Sequence, residues 1–583
     1  MSGIENRIQS HLRFLYGEKS TPCWNQLRDI LRRFSDQHPE LAQSSRKDLL
    51  TKLGPMLITY GDQIQSQDLS PLSTLSDFLD SHLGDLIKGV HVLPFFPYSS
   101  DDGFSIINYR KVNPALGTWE ELKSLREKYL LMFDLVINHV SRQSAWFQGF
   151  LEGKEPYTDY FITVDPDTDL SRVVRPRAGS LLTPVETWEG TKYVWTTFSS
   201  DQMDLNFHNP DVLLEIIKVL LYYILQGARI IRLDAIAYVW KEVGTSCIHL
   251  PQTHTIVKLI RAVLDWIAPG VILITETNVP HEENISYFGD PLPPSRGDMG
   301  GDEAQIVYQF PLAPLILHTF YNADCSALRS WARSLDVPYP SAIFLNFTAS
   351  HDGIGLRPAE GLLSENEIKA LVERGKKHGG LISYKTDKDG SRSVYELNIT
   401  FFDALNDPRY PQANTDRKRF LAAEAIMLSL AGVPAIYINN LFGTRGDTQT
   451  LERTGIARSI NRKKFQREEL ESYLADPLNR QAQVFEAYKQ LLRVVCDQPA
   501  FHPFTSQEVL DFGQRLFALT RTPPEERDAI LCLINITGSD VDLDGFDVNQ
   551  LLPLPWVDTL SGKIVSTSSY RMSPYQILWL KSL

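Results

Sequence analysis

Asn209-Pro-Asp-Val-Leu-Leu-Glu-Ile-Ile-Lys-Val-Leu-Leu-Tyr-Tyr-Ile-Leu-Gln-Gly227-Ala-Arg-Ile-Ile-Arg-Leu-Asp234-Ala235 reads as one complete helix-to-strand unit. Asn followed by Pro is a helix start, because Asn caps the free N–H groups and Pro fits the first turn. Gly227 marks the stop. The run Arg229 to Leu233 that follows is short, branched and apolar throughout. Continuous apolar runs of this kind belong to parallel strands covered on both faces.

Working outward, the same texture recurs. Upstream lie Met56–Tyr60, Gly89–Phe96 and Leu131–Ile137; downstream lie Val271–Thr275, Ile306–Gln309, Ala342–Phe347 and Val433–Ile438. Helical or irregular sequence follows each. Between the second and third runs, Thr118 and Glu121 have the spacing of a capping box. Eight such strands predict an α/β fold, a (β/α)8 TIM barrel.

The barrel is expected over 56–140 and 206–501. Residues 1–55 read as a helical N-terminal extension, with Leu27, Ile30, Leu31 and Phe34 at helical spacing. An inserted subdomain is expected over 141–205, and a second insertion over 353–397. From 502 to 583 the pattern turns to strand and turn, which predicts a small C-terminal β domain. A purely packing role is the plain expectation for the extension.

The 583 residues carry 58 basic and 71 acidic side chains, a formal net charge of -13. That balance argues against nucleic acid as a partner. Cys23, Cys247, Cys325, Cys496 and Cys532 are scattered, with no Cys-x-x-Cys, so neither a disulfide framework nor a metal or redox motif is expected. The N-terminus has no apolar signal core, and no apolar run reaches membrane-spanning length. The expectation is a cytoplasmic protein with no membrane partner, no cofactor and no metal.

In a parallel barrel, chemistry collects at the C-terminal ends of the strands. The fourth strand ends Arg232-Leu-Asp234, two residues apart and so on one face. A guanidinium beside a carboxylate favours its ionised form, which a glycosyl nucleophile needs. The fifth strand ends in Glu276 after Ile-Leu-Ile-Thr, where desolvation would raise its pKa and suit it to general acid work. The seventh ends His351-Asp352, the third Asn138-His139. Each alone is more often a structural ion pair, a cap or a turn. Their placement on one rim gives them force.

Asp134-Leu-Val-Ile-Asn-His139, Arg232-Leu-Asp234, Glu276 and His351-Asp352 together resemble the four signature regions of glycoside hydrolase family 13. The resemblance extends from Met56 to Leu583. It implies Asp234 as nucleophile, Glu276 as general acid/base and Asp352 as transition-state stabiliser, with His139, Arg232 and His351 on the glucosyl unit. Pro94-Phe-Phe-Pro-Tyr-Ser-Ser-Asp-Asp-Gly-Phe104, Arg175-Pro-Arg177, Val194-Trp-Thr-Thr-Phe198, Lys241-Glu-Val-Gly-Thr-Ser-Cys247, His351-Asp-Gly-Ile-Gly355 and Ile460-Asn-Arg462 are similar to the sucrose phosphorylase subfamily. That similarity implies Asp101, Phe104, Phe198, Gln202 and Arg462 as further glucosyl contacts. It implies Arg177, Tyr238 and Tyr395 on the phosphate and acceptor side.

Two departures fall on the acceptor side. Simple sucrose phosphorylases read Glu-Val-His at the acid/base, where this chain reads Glu276-Thr-Asn278. They read Asp-Leu-Tyr-Gln where this chain has Ser393-Val-Tyr-Glu396, preceded by Arg392. With the N-terminal extension, these features look more like the glucosylglycerate phosphorylase branch. The resemblance implies small-molecule partners: an α-glucoside, inorganic phosphate, α-glucose 1-phosphate and glycerate. Sucrose, sucrose 6'-phosphate or glucosylglycerol phosphorolysis are the alternatives, with hydrolysis or transglucosylation and a catalytically dead scaffold behind them. The basic residues of Lys385-Thr-Asp-Lys388-Asp-Gly-Ser-Arg392 suggest Arg392 as a contact for the glycerate carboxylate.

Overall fold

The computed structural model describes residues 2–583 except Ala178, 293–299, 387–391, 526–527, 544–551, 553 and 566–569. Eight parallel strands close into a barrel: β1 (Met56–Thr59), β2 (Gly89–Val92), β3 (Leu130–Val136), β4 (Ala228–Asp234), β5 (Ile272–Thr275), β6 (Ile306–Tyr308), β7 (Ile343–Asn346) and β8 (Val433–Tyr437). They follow one another around the ring in chain order, and β8 pairs with β1 to close it. All eight expected strands are present. The second is shorter than its apolar run, ending at Val92; Pro94 just beyond has no N–H to give a ladder.

Local signals explain the joints. Asn209 accepts the Asp211 N–H at the head of helix Pro210–Gln226, and Gly227 closes the helix at φ 108°. A Cβ on Gly227 would come within 2.5 Å of the Arg126 side chain. The Thr118–Glu121 capping box forms at helix Trp119–Arg126.

Four attachments frame the barrel. Helices Ser2–Tyr16 and Ser20–Gln37 lie on the outer helices Pro210–Gln226 and Pro251–Ile267, burying Leu27, Leu31 and Phe34 and half-burying Ile30. Asp265 anchors them, accepting from Arg7 (3.1 Å), Arg46 (2.5 Å) and Arg261 (3.0 Å). After β3 an insert carries helix Ala145–Leu151 and the hairpin Leu182–Thr187/Gly190–Trp195. It returns through Gln202–Asp204, which pairs with His139–Ser141. After β7 a second insert carries helix Glu365–Lys377 and the hairpin Leu381–Thr386/Arg392–Asn398, whose inner strand pairs with Ile354–Gly355. The C-terminal part forms an antiparallel sheet. It docks through Trp579 against Phe501 and through Arg521 donating to the Ser429 carbonyl. The cysteines are free thiols, and no helix among the described residues is long and apolar enough to cross a membrane.

The root of the first insert is pinned by a buried polar node. Lys241 Nζ donates to Asn138 Oδ1 (2.5 Å) and pairs with Asp204 (2.7 Å). Asp204 also accepts from the Thr197 N–H (3.0 Å). Removing a buried cation strands its carboxylate. Lys241→Met is therefore expected to cost about 3–5 kcal/mol, read as a lowered melting temperature.

Candidate active site

Asp134, His91, Arg232 and Tyr308 form a buried base beneath the C-terminal rim. Arg232 Nη1 donates to Asp134 Oδ1 (2.5 Å) and to Asp234 Oδ1 (2.6 Å), while Nε donates to the Tyr308 hydroxyl (3.0 Å). His91 Nε2 lies 2.7 Å from the other Asp134 oxygen. Burial opposes the Asp134 charge, but His91 and Arg232 outweigh it and hold the carboxyl down at about 2. Asp134 thus fixes Arg232, and Arg232 fixes Asp234.

Glu276 follows β5. Its Oε2 accepts the Ala235 N–H (2.9 Å) and lies 3.8 Å from Arg232 Nη2. Ala235 presents that N–H from a left-handed conformation (φ 46°, ψ 34°), which a residue with a Cβ adopts only under constraint. Burial raises both Asp234 and Glu276; Arg232 opposes the rise at each, and neighbouring carboxylates reinforce it. The Glu276 charge is among the neighbours that push Asp234 up, so the two titrations are linked. Arg232 is nearer Asp234 (2.6 Å) than Glu276 (3.8 Å), which favours the proton on Glu276.

Asp352 is the opposite case. Burial works against its charge, yet Arg458, His351, Arg462 and Arg232 hold it well below the usual carboxylate range. Arg458 Nη1 sits 2.5 Å from Asp352 Oδ1. The remaining Arg458 donors grip Glu396 in a fork, Nε to Oε1 at 2.9 Å and Nη2 to Oε2 at 2.8 Å. Arg458 escaped the sequence reading. Its only signal was its place four residues before Arg462, in the short turn Ala457–Asn461.

The glucosyl-side residues converge. Asp101, Phe104, His139, Phe198, Gln202, His351, Asp234, Glu276 and Asp352 line one cavity. Phe104 stacks on His351 with ring centroids 4.7 Å apart and planes 8° from parallel. Burial lowers both His139 and His351, which favours neutral imidazoles; His139 Nε2 lies 3.0 Å from the Phe104 carbonyl oxygen and Nδ1 3.2 Å from the Asn138 amide. Gly103 holds the Asp101–Phe104 turn at φ 115°, where a Cβ would meet the Pro94 carbonyl at 2.4 Å.

Arg177, Tyr238, Asn278, Tyr395 and Arg458 line the remaining wall. Asn278 Nδ2 donates to the Tyr395 hydroxyl (3.3 Å). Four expected contacts stand elsewhere. Arg232 lies beneath the floor. Arg462 is buried behind it, donating to the His351 carbonyl (2.9 Å) and to Asp102 (2.9 Å), with Nη2 3.6 Å from Asp101, so it braces the turn that lines the cavity. Glu396 is fully buried against Arg458. Arg392 faces Thr386 at the far end of its hairpin and is exposed, three residues or roughly 10 Å along the strand from Tyr395. It does not line the cavity, and residues 387–391 of the basic stretch expected at the acceptor lie outside the described residues. Among the described residues, no group of three or more His, Cys, Asp or Glu side chains is placed to hold a metal.

Comparison with known proteins agrees with this architecture. Residues 75–322 match the family model described as alpha amylase, catalytic domain. A glucosylglycerate phosphorylase of Allomeiothermus silvanus is 47% identical over 99% of this chain and 98% of its own. One from Escherichia coli is 40% identical over 99% and 100%. The crystal structure of sucrose 6F-phosphate phosphorylase from Thermoanaerobacter thermosaccharolyticum superposes with a TM-score of 0.71 at 27% identity, covering 83% of this chain and 94% of that one. With its barrel, its three rim carboxylates and full-length relatives at this level of identity, the chain belongs to the glucosylglycerate phosphorylase family, within the α-amylase group.

Proposed function

We propose that this protein is a hexosyltransferase that reversibly phosphorolyses 2-O-(α-D-glucosyl)-D-glycerate to α-D-glucose 1-phosphate and D-glycerate, with retention. Glu276, holding the proton of the pair, protonates the departing glycerate oxygen. Asp234, ionised and oriented by Arg232, attacks the anomeric carbon to give a β-glucosyl-enzyme. Phosphate then attacks that carbon, and Glu276, now ionised, takes its proton back. Asp352 stays charged throughout and stabilises the oxocarbenium-like transition state. His139, His351, Phe104 and Asp101 hold the glucosyl ring.

The observation carrying the reading is the wall opposite the glucosyl floor. Several carboxylates surround the cavity, and an incoming anion would be repelled without a cation at its entry. Arg177, on the insert after β3, lines that wall with about a quarter of its side chain exposed. It has the charge and freedom to receive phosphate, and a guanidinium can fork onto a glycerate carboxylate as well.

The test begins with product identification: the wild-type enzyme, given glucosylglycerate and phosphate, should release α-glucose 1-phosphate. Run backwards with glucose 1-phosphate saturating, it should use D-glycerate with higher kcat/KM than fructose. Arg177→Ala should raise the phosphate KM by about tenfold to a hundredfold, the loss of a charged hydrogen bond. Hydrolysis of an activated α-glucoside should be spared, since water does not need the cation. Release of free glucose in place of glucose 1-phosphate, or better use of fructose, would refute the proposal.

A further inference from the structure

The acceptor wall holds two guanidinium groups, and a single buried carboxylate answers both. Arg458 has a carboxylate on each of its three nitrogens: Nε and Nη2 are on Glu396 and Nη1 is on Asp352. Arg177 Nη1 lies 4.0 Å from Glu396 Oε1. Glu396 has no access to solvent, and Ser383 donates to it from the next strand at 3.3 Å. It sits in the strand that carries Tyr395 into the cavity wall.

We propose that Glu396 is an affinity brake on the acceptor site: its charge offsets Arg177 and Arg458 so that two anionic co-substrates exchange there without either being trapped. This rests on the phosphorylase reading above. In that reaction glycerate must leave before phosphate enters, or the reverse, and both are small anions competing for the same cations. Without Glu396 the wall would keep only Asp352 against its two guanidiniums, and it would hold whichever anion arrived first. A carboxylate buried beside the cations, unable to swing away, is a permanent counter-charge that lowers anion affinity without blocking access.

The magnitude follows from Coulomb's law. A unit charge roughly 6 Å from the bound anion, screened by a dielectric between those of protein and water, changes affinity on the order of tenfold. Glu396→Gln and Glu396→Met keep the side-chain length and remove the charge; Glu396→Asp keeps the charge. Inorganic phosphate and D-glycerate binding to each purified enzyme would be measured by calorimetry, and turnover in both directions by glucose 1-phosphate formation and consumption. The uncharged variants are expected to bind phosphate about tenfold tighter, to show glycerate and phosphate inhibiting each other at lower concentrations, and to lose kcat as anion release slows. The Asp variant is expected to stay near wild-type affinity. A purely structural residue would not tighten binding when removed. Unchanged or weaker phosphate binding in the uncharged variants would overturn the proposal. So would failure of both to fold, which would assign Glu396 to stability. If the wild type forms no glucose 1-phosphate, the functional reading fails; if it does and phosphate binding does not tighten, this inference alone fails.

Discussion

Asp234→Asn is expected to lower kcat on glucosylglycerate by about 10⁴-fold or more while the protein stays folded. The amide keeps the shape of the carboxyl but not its nucleophilicity, so no glucosyl-enzyme forms. The change also alters the floor. Arg232 loses one of its anionic partners yet keeps Asp134 at 2.5 Å and the Tyr308 hydroxyl at 3.0 Å. The guanidinium therefore stays in place, and a near-wild-type melting temperature should accompany the loss of turnover. Removing Asp234 also removes a negative neighbour of Glu276, so the remaining acid should titrate as a single group. Near-normal turnover on the natural glucoside would show that the nucleophile lies elsewhere.

Glu276→Gln should divide substrates by their leaving groups. Glycerate departs poorly and needs the proton, so a loss on the order of 10²–10⁴-fold is expected. An activated α-glucoside, whose leaving group departs unaided, should glucosylate the enzyme with a much smaller loss. The pH profile gives a second signature. Burial raises the Glu276 carboxyl, and its protonated form is the one required for cleavage. Rate is therefore retained below that raised pKa and lost as pH rises through it, and the Gln variant should lose this alkaline limb on activated substrates. An equal loss on all substrates, with the alkaline limb intact, would assign the acid role to another group.

The fold was legible because its signals are local. Parallel strands covered on both faces are apolar end to end, and caps such as Asn209, Gly227 and Thr118 announce helix limits in a few residues. The three rim carboxylates were legible because strand ends project onto one rim: Asp234, Glu276 and Asp352 need only the strand register to be found, and they line one cavity. The remaining wall was legible only in part: Arg177, Tyr238, Asn278 and Tyr395 were expected and line it, but Arg458 was not. Whether Arg392 or Arg458 reaches the cavity depends on a hairpin register and on a turn after β8, neither of which has a periodic signature. Nearness in sequence to Tyr395 favoured Arg392; the hairpin instead turns it outward, and a residue 62 positions beyond Glu396 supplies the cation. Arg462, which the resemblance gives as a glucosyl contact, is buried against the Asp101–Phe104 turn, with Nη2 3.6 Å from Asp101.

Ala235 carries a cost of another kind. A residue with a Cβ held at φ 46° is less stable than glycine would be there by about 1 kcal/mol. The chain nevertheless has alanine, and that strained residue aims its N–H at Glu276 from 2.9 Å. Glycine would relieve the strain, and it would also give the peptide other orientations to visit. Stability and activity therefore select in opposite directions at this position, and a search for heat-resistant variants that scored melting temperature alone would be drawn to it and would return slower enzymes.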